Sequence, residues 1–334
     1  MRRILFPSMA TLICLLVIAG CTPEQEYQTI KGVVMGYSYQ IVYQAPDYAP
    51  WSFKSDIKKA ARKCAREIDR SISLYNPSSI INSVNTNKSM ETDSIFAAVL
   101  DKTKATAELT GASMNTTTGP LRELWGNNPG NTKNVTEDQI ARVLEYSGIW
   151  KVSVQNGLFV KEDPRIQLDL SRTGIGFAAD YLGSMLDSNN ISNYMIEVGK
   201  VVLCKGLNPS GTPWRYLIQQ TYGNVIYLTD KSMSICGDLS DFKPGLGKTF
   251  NGFFNTRTGY PVEDPILSIL VIANNGLDAA ASSVAFYSLG LEKSIQYLES
   301  HPDIQAIMYY CNNDSISTYI TPNITQRYEI QYFP

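Results

Sequence analysis

The sequence predicts an α+β protein, a single compact domain of mixed, largely antiparallel sheets with flanking helices. Three observations lead there. Short apolar, strand-like runs occur in clusters, separated by a few segments with helical periodicity. No fixed-period repeat, low-complexity tract or long linker divides the 334 residues. Hydrophobic residues make up 44% and charged residues 18%, which supplies a core and excludes a disordered chain.

The elements follow in order. Met1-Arg2-Arg3 is a positive start, Ile4 to Ile18 is apolar, and Ala19-Gly20-Cys21 ends the run. A spanning helix needs roughly 20 apolar residues, so residues 1–20 read as a signal peptide. Val17 to Cys21 has the form of a bacterial lipobox, with Cys21 the lipidated residue. Residues 21–28 form a polar tether and 29–334 the folded domain. Residues 29–44 carry strand patterning. Ser55 to Ser73 is an amphipathic helix, with Ile57, Ala61, Cys64, Ile68 and Ile72 on one face. A turn-rich segment, Tyr75 to Ser79, follows. Ser94 to Leu109 is a helix stopped by Gly111, and Thr136-Glu137-Asp138 starts another that runs to about Tyr146. Strands are expected at 150–155, 158–161 and 166–170, then a helix from about Gly176 to Leu186. Further strands are expected at 194–198, 201–205, 215–220, 225–229, 249–255 and 266–273. Helices at Asp278–Leu289 and Leu291–Glu299 precede strands at 305–311, 316–320 and 326–332.

Charge and rare residues narrow the function. Lys and Arg total 29 against 31 Asp and Glu, a net of -2. Loss of Arg2 and Arg3 with the leader leaves 27 against 31. No basic excess exists to neutralise a phosphate backbone, so no nucleic-acid partner is expected. The one histidine, His301, lies outside every motif and reads as a surface or packing residue. Histidine-rich zinc sites are thereby excluded, and Ser-His or Cys-His catalysis would rest on that one residue. Cys64, Cys204, Cys236 and Cys311 are widely spaced and read as buried thiols. No GxGxxG, phosphate-binding loop, nucleophile elbow or HExxH occurs.

A set of unusual segments carries more. Ser73 to Ser79 (SLYNPSS), continuing to Asn85, resembles the S-x-Y-D-P-x-S…N segment of the ApbE family, flavin transferases that move FMN from FAD onto proteins. Met35 to Tyr39 (MGYSY) resembles its M-G-T-x-Y strand. Thr110 to Gly126 (TGASMNTTTGPLRELWG) is similar to TGGAFDPTVGPLVNLWG, and Leu168 to Asp180 (LDLSRTGIGFAAD) to LDLGGIAKGYAVD. Asn208 to Arg215 ends in the family's PWR, and Asn255 to Val262 (NTRTGYPV) is similar to DPRTGYPV. The segments run in family order from about residue 32 to 290.

The resemblance implies an FAD:protein FMN transferase of the bacterial cell envelope. It would be lipid-anchored to a membrane, face an exported compartment, use magnesium, and act on a Thr or Ser hydroxyl of an exported flavoprotein. It places Met35, Tyr75, Ser113, Met114, Asn115, Asp169, Ile175 and Phe253 at flavin-binding positions. For magnesium, it implies Asp278 and Ser282, four apart on one helical face, with Arg172 at a position whose backbone carbonyl helps hold the ion. Counting back from Gly290 instead puts the aspartate position on Ala280, and both registers stay open. The departures bear on activity. Ile175 stands at the family's lysine, Gly199-Lys200-Val201 at its GGE, Gly252 at its histidine, and Asn255-Thr256 at its Asp-Pro. The alternative is a catalytically degenerate relative that binds flavin or a protein partner without transfer. An envelope adhesin, supported only by the 20 tyrosines, is a third class.

Overall fold

The computed structural model describes residues 27–111, 116–126, 135–218, 224–243, 247–248, 253–313, 315–322, 324 and 328–329. The frame is an eight-stranded sheet whose neighbouring strands are all antiparallel. In chain order its strands are β1 (Tyr27–Val34), β2 (Tyr37–Gln44), β5 (Tyr194–Val198), β6 (Val201–Lys205), β9 (Lys231–Gly237), β12 (Ile266–Ala273), β13 (Gln305–Asn312) and β14 (Ser315–Ile320), and that is also their spatial order. A hairpin of β3 (Val152–Gln155) and β4 (Leu158–Lys161) stands apart. β7 (Trp214–Leu217) and β8 (Val225–Leu228) pair with β15 (Tyr328–Glu329), and β10 (Phe242–Lys243) with β11 (Gly247–Lys248).

α1 (Phe53–Ile72), α6 (Ser171–Ser188) and α7 (Gly276–Leu289) pack on one face of the large sheet. α2 (Ile80–Asn85), α3 (Ser94–Thr110) and α8 (Leu291–Ser300) join the same core, while α4 (Gly119–Trp125) and α5 (Glu137–Leu144) pack on each other in a small separate core with Phe254. β7 and β8 cover part of the sheet's other face. β12 shows the consequence. Ile269 and Val271 pack into the helical core while Leu270 and Ile272 pack beneath β7 and β8, so its run is apolar apart from Ser268 rather than alternating. Among the described residues, no helix is long and apolar enough to cross a membrane.

Most expected elements are present, with instructive differences. The 29–44 run is a hairpin turned by Met35 and Gly36, both at positive φ. Residues 166–170 form no strand. Asn85 clamps Leu168 from both sides, accepting from its N–H at 2.7 Å and donating to its carbonyl at 2.9 Å, and the Asp169 N–H goes to the Thr116 carbonyl at 2.7 Å. A side chain thus satisfies the backbone where a neighbouring strand would have. α6 begins at Ser171, not Gly176. β9 was not expected because serine alternates through Lys231–Gly237. Ser232 is buried with its hydroxyl on the Val202 carbonyl at 2.8 Å, and Ser234 is buried against Ser283 at 3.0 Å. Of 249–255, only 253–255 are described, and Phe254 forms an isolated bridge with Pro261. Cys64, Cys204 and Cys236 are buried thiols as expected, whereas Cys311 is half-buried.

Candidate active site

α6 and α7 pack at a glycine contact. A Cβ on Gly176 would strike the Gly276 carbonyl and lie 2.7 Å from the Ala280 Cβ. Asp180, one turn further along α6, accepts from the Gly276 N–H at 2.6 Å and the Leu277 N–H at 2.8 Å, satisfying two free donors at the start of α7. Burial raises its pKa to about 6 against those two hydrogen bonds, with nearby Asp278 adding to the rise.

A cavity of ≈ 440 Å³ opens where the first turn of α6, the β5–β6 turn, the end of β9 and the cavity-facing side of α7 meet. Tyr37, Ile175, Ile235, Phe253 and Val284 give it apolar and aromatic walls, and Arg172 and Lys200 are its cations. The Arg172 guanidinium lies 4.3 Å from the centre of the Phe253 ring, a cation–π contact. Phe253 is held from behind by Tyr287, with ring centres 4.5 Å apart. Burial pushes the Cys236 thiol up to about 11, with Arg172 and Lys200 pulling it the other way, so it is protonated at neutral pH. Lys200 donates to the Gly237 carbonyl at 2.8 Å and pairs with Asp238 at 3.0 Å. Burial works against ionisation of Asp238, yet the Ser240 amide and Lys200 hold its carboxyl below the usual range. Among the described residues, Arg172 has no carboxylate partner, which leaves its charge facing the cavity.

The expected flavin positions fall into three groups. Ile175 and Phe253 line the cavity. Tyr75 and Asp169 lie near it, since both raise the pKa of Tyr37, which burial raises most and Arg172 lowers. Tyr75 is 76% exposed and stacks against Gly36, where a Cβ would come 2.7 Å from its ring. Its loop is fixed by Asn82, which donates to the carbonyls of Leu74 and Asn76. Asp169 makes a turn with the Ser171 N–H at 2.9 Å that launches α6. Met35 does not line the cavity: it is buried and packed against Gly174, its N–H on Asp69 at 2.6 Å. Cys21, Ser113, Met114, Asn115 and Gly252 lie outside the described residues.

The side chains of the implied magnesium residues line different cavities. Arg172 faces the cavity, whereas Asp278 and Ser282 line a separate polar groove with Lys102, Lys231 and Asp303. Asp278 is ion-paired with Lys102 at 2.5 Å and accepts from Asn275 Nδ2 at 3.1 Å. The register counted from Gly290 fits the geometry: Ala280 packs on Gly176 and Val284 lines the cavity. Neither carries a side-chain oxygen. Among the described residues, no group of three or more His, Cys, Asp and Glu could hold a metal ion. Among the described residues, the side chains at the predicted position therefore do not fit magnesium. His301 stacks on Tyr297 at the end of α8, with ring centres 4.0 Å apart, a packing role as expected.

Tyr37, Asp238 and Asp241 also line the cavity and were not singled out. Tyr37 lies inside the quoted MGYSY segment, but Asp238 and Asp241 fall in no motif.

The comparisons with known proteins agree with this architecture. A family model described as "ApbE family" matches residues 35–308. An FAD:protein FMN transferase of Vibrio cholerae is 25% identical over 323 residues, covering 93% of this chain and 96% of that one. One from Haemophilus influenzae is 27% identical over 301 residues, covering 85% and 87%. The structure titled "Flavin Transferase ApbE from Vibrio cholerae" superposes with a TM-score of 0.80 at 23% identity, covering 91% of this chain and 99% of that one. The apo flavinyl transferase ApbE of Pseudomonas stutzeri gives 0.82 at 20%, covering 92% and 98%. With the family model spanning most of the sequence and the same fold in both structures, this chain belongs to the ApbE family.

Proposed function

We propose that this protein binds FAD in the Arg172 cavity without a divalent cation, and that its transfer of FMN to a Thr or Ser hydroxyl is slow. The observation that carries the proposal is the position of Arg172. Its guanidinium stands over the aromatic wall, while the carboxylate expected to hold magnesium is committed to Lys102 on another side of α7.

The chemistry sets what is retained and what is lost. The isoalloxazine is flat and largely apolar, and a wall of Phe253, Ile175 and Val284 suits it. The FAD diphosphate is anionic, and a guanidinium offers charge and a fork of N–H donors to it. Transfer additionally requires a proton to leave the acceptor hydroxyl and charge to be neutralised on the pyrophosphate. Ile175 supplies no cation at the family's lysine position, and Gly252 no base at its histidine position. General-base assistance is typically worth ~10²–10⁴-fold, which sets the expected deficit. Arg172 orients and neutralises, but it does not accept a proton.

Two measurements test this. FAD fluorescence should be quenched on titration with protein, equally with magnesium and with a chelator. Covalent FMN on a Thr-containing acceptor peptide should accumulate slowly and without magnesium dependence. Absence of quenching by folded protein, or robust magnesium-dependent transfer, would refute the reading.

We infer as well that the chain matures at Cys21 as an envelope lipoprotein, with an exported flavoprotein as its acceptor. The lipobox supports this. A Cys21→Ser protein should leave the membrane fraction or stay unprocessed, and identical soluble fractionation of mutant and wild type would refute it.

A further inference from the structure

The outer face of α1 differs from the rest of the surface. All seven of its Lys and Arg residues, from Lys54 to Arg70, are exposed. Two of its three acids are engaged elsewhere: Glu67 accepts from Tyr181 Oη at 2.8 Å and lies only loosely, at 3.9 Å, from Lys63, and Asp69 accepts the Met35 N–H. The third, Asp56, is paired with Lys59 at 3.2 Å. A chain with 29 basic and 31 acidic residues has thus gathered a quarter of its cations on one side of one helix.

At the N-terminal end of that face stand two bare aromatic rings. Trp51 is 99% exposed and Tyr48 is 98% exposed, the two most exposed large hydrophobic side chains described. Their display is built in. Two proline-led turns, Ala49 N–H to the Pro46 carbonyl at 2.9 Å and Phe53 N–H to the Pro50 carbonyl at 2.8 Å, hold the 45–52 loop and aim both rings away from the core. Trp and Tyr are the side chains favoured where a hydrocarbon layer meets headgroups, and adjacent Lys and Arg are drawn to anionic lipid.

The chain path adds a third, independent observation. Tyr27, at the start of β1, pairs with Gln44, the residue from which the 45–52 loop emerges. Only five residues separate Tyr27 from Cys21, a reach of at most about 20 Å. A lipid on Cys21 would therefore hold this end of the sheet against the bilayer.

We propose that the 45–52 loop and the outer face of α1 dock the protein onto an anionic phospholipid surface, with Trp51 and Tyr48 entering the headgroup layer. The orientation argument rests on the lipid-anchor reading, whereas the surface itself does not. Such docking would fix the domain close to the membrane rather than leaving it free to swing on its tether.

The test uses a chain starting at Thr22, which lacks the lipid and contains the whole described fold. Flotation is measured with phosphatidylcholine vesicles, with and without phosphatidylglycerol. Salt-sensitive binding only to the anionic vesicles is expected. Each basic residue near such a surface contributes roughly fivefold, so Lys58→Gln, Arg62→Gln and Arg66→Gln together should weaken binding on the order of 100-fold. Trp51→Ser should also weaken it and abolish the quenching of tryptophan fluorescence by brominated lipid. These side chains are exposed, and circular dichroism with urea midpoints equal to the parent's reports that the variants are folded. No binding to anionic vesicles at low salt, or variants that float like the parent, would overturn the proposal. So would retention on polyglutamate without vesicle binding, which would assign the face to an acidic protein. Processing at Cys21 is read separately by mass spectrometry of the membrane fraction, so a lipidated protein whose unlipidated form ignores vesicles overturns the docking surface alone.

Discussion

Replacing Arg172 by methionine isolates the charge on which the FAD reading depends. Methionine keeps an unbranched apolar stem over Phe253, so the wall stays filled while the guanidinium is removed. The nearby Cys236 thiol, already at about 11, has no reason to ionise once that cation is gone, so no new charge appears. Hydrogen bonds from a charged donor to phosphate contribute about 1.5–3 kcal/mol, which corresponds to a roughly 10–150-fold rise in Kd for FAD. Riboflavin has no phosphate and should bind parent and Arg172→Met protein within about twofold, because ring burial is unchanged. Fluorescence quenching titrations with both ligands, at two salt concentrations, give the comparison. The parent should show the steeper salt dependence for FAD. Equal FAD affinity in the two proteins would refute the reasoning, and so would a parallel loss of riboflavin binding.

Asp278→Ala should leave FAD affinity within about twofold, with or without magnesium, because its carboxylate faces Lys102 and not the cavity; a magnesium-dependent loss in the titration would restore the ligand role. Gly176→Ala should destabilise the fold by about 1–3 kcal/mol or more in urea denaturation, because the new methyl meets the Gly276 backbone, which has no rotamer to yield. Stability should rise on the order of 1 kcal/mol from pH 7 to pH 5: native Asp180 protonates near 6, above its unfolded value of 3.8, so the native state binds more protons across that window, and Asp180→Asn should remove the increment in denaturation midpoints compared at the two pH values. Ile175→Lys combined with Gly252→His should raise covalent FMN on the acceptor peptide above the parent level, and no gain in a folded, FAD-binding variant would place the deficit elsewhere.

What the sequence revealed about the fold depended on where hydrogen bonds and packing are local. α1 was legible because its apolar residues repeat at helical spacing over five turns and its partners all lie on one side. β12 was legible as a strand because both its faces are covered, which makes the run continuously apolar. Residues 166–170 (IQLDL) alternate as a half-buried strand would, but Asn85, more than eighty residues away, occupies the backbone groups of Leu168. No local pattern records that clamp. β9 failed in the opposite direction. The segment was assigned no element, and only the tertiary partners of Ser232 and Ser234 make its serines core.

The candidate site was legible as a set of segments but not as a set of directions, and α7 shows why. Asp278 and Ser282 satisfied every local condition for a metal pair: a carboxylate and a hydroxyl, four apart on one helical face. Moving the register by two residues turns a helix by about 200°, so the competing pair, Ala280 and Val284, points to nearly the opposite side. What decides between them is the Gly176–Gly276 contact, which seats α7 against α6 and turns Ala280 inward, and the Asp180 cap that fixes the start of the helix. Both features come from a segment a hundred residues earlier in the chain. With that register, Val284 and Ser283 face the cavity and Arg172 meets them from α6. The loss of a carboxylate and the gain of a guanidinium on the same cavity are then one electrostatic exchange: the positive charge needed near a diphosphate is carried by the chain itself. In the proposed reading the exchange serves binding, because a fixed guanidinium attracts an anion as a bound cation does. It also withholds Lewis-acid activation of the phosphoryl oxygens, which a guanidinium supplies only through hydrogen bonds. On the proposed reading, FAD binding without magnesium and slow FMN transfer are therefore expected together in this chain, the missing Lewis acid adding to the missing base at Gly252 and cation at Ile175.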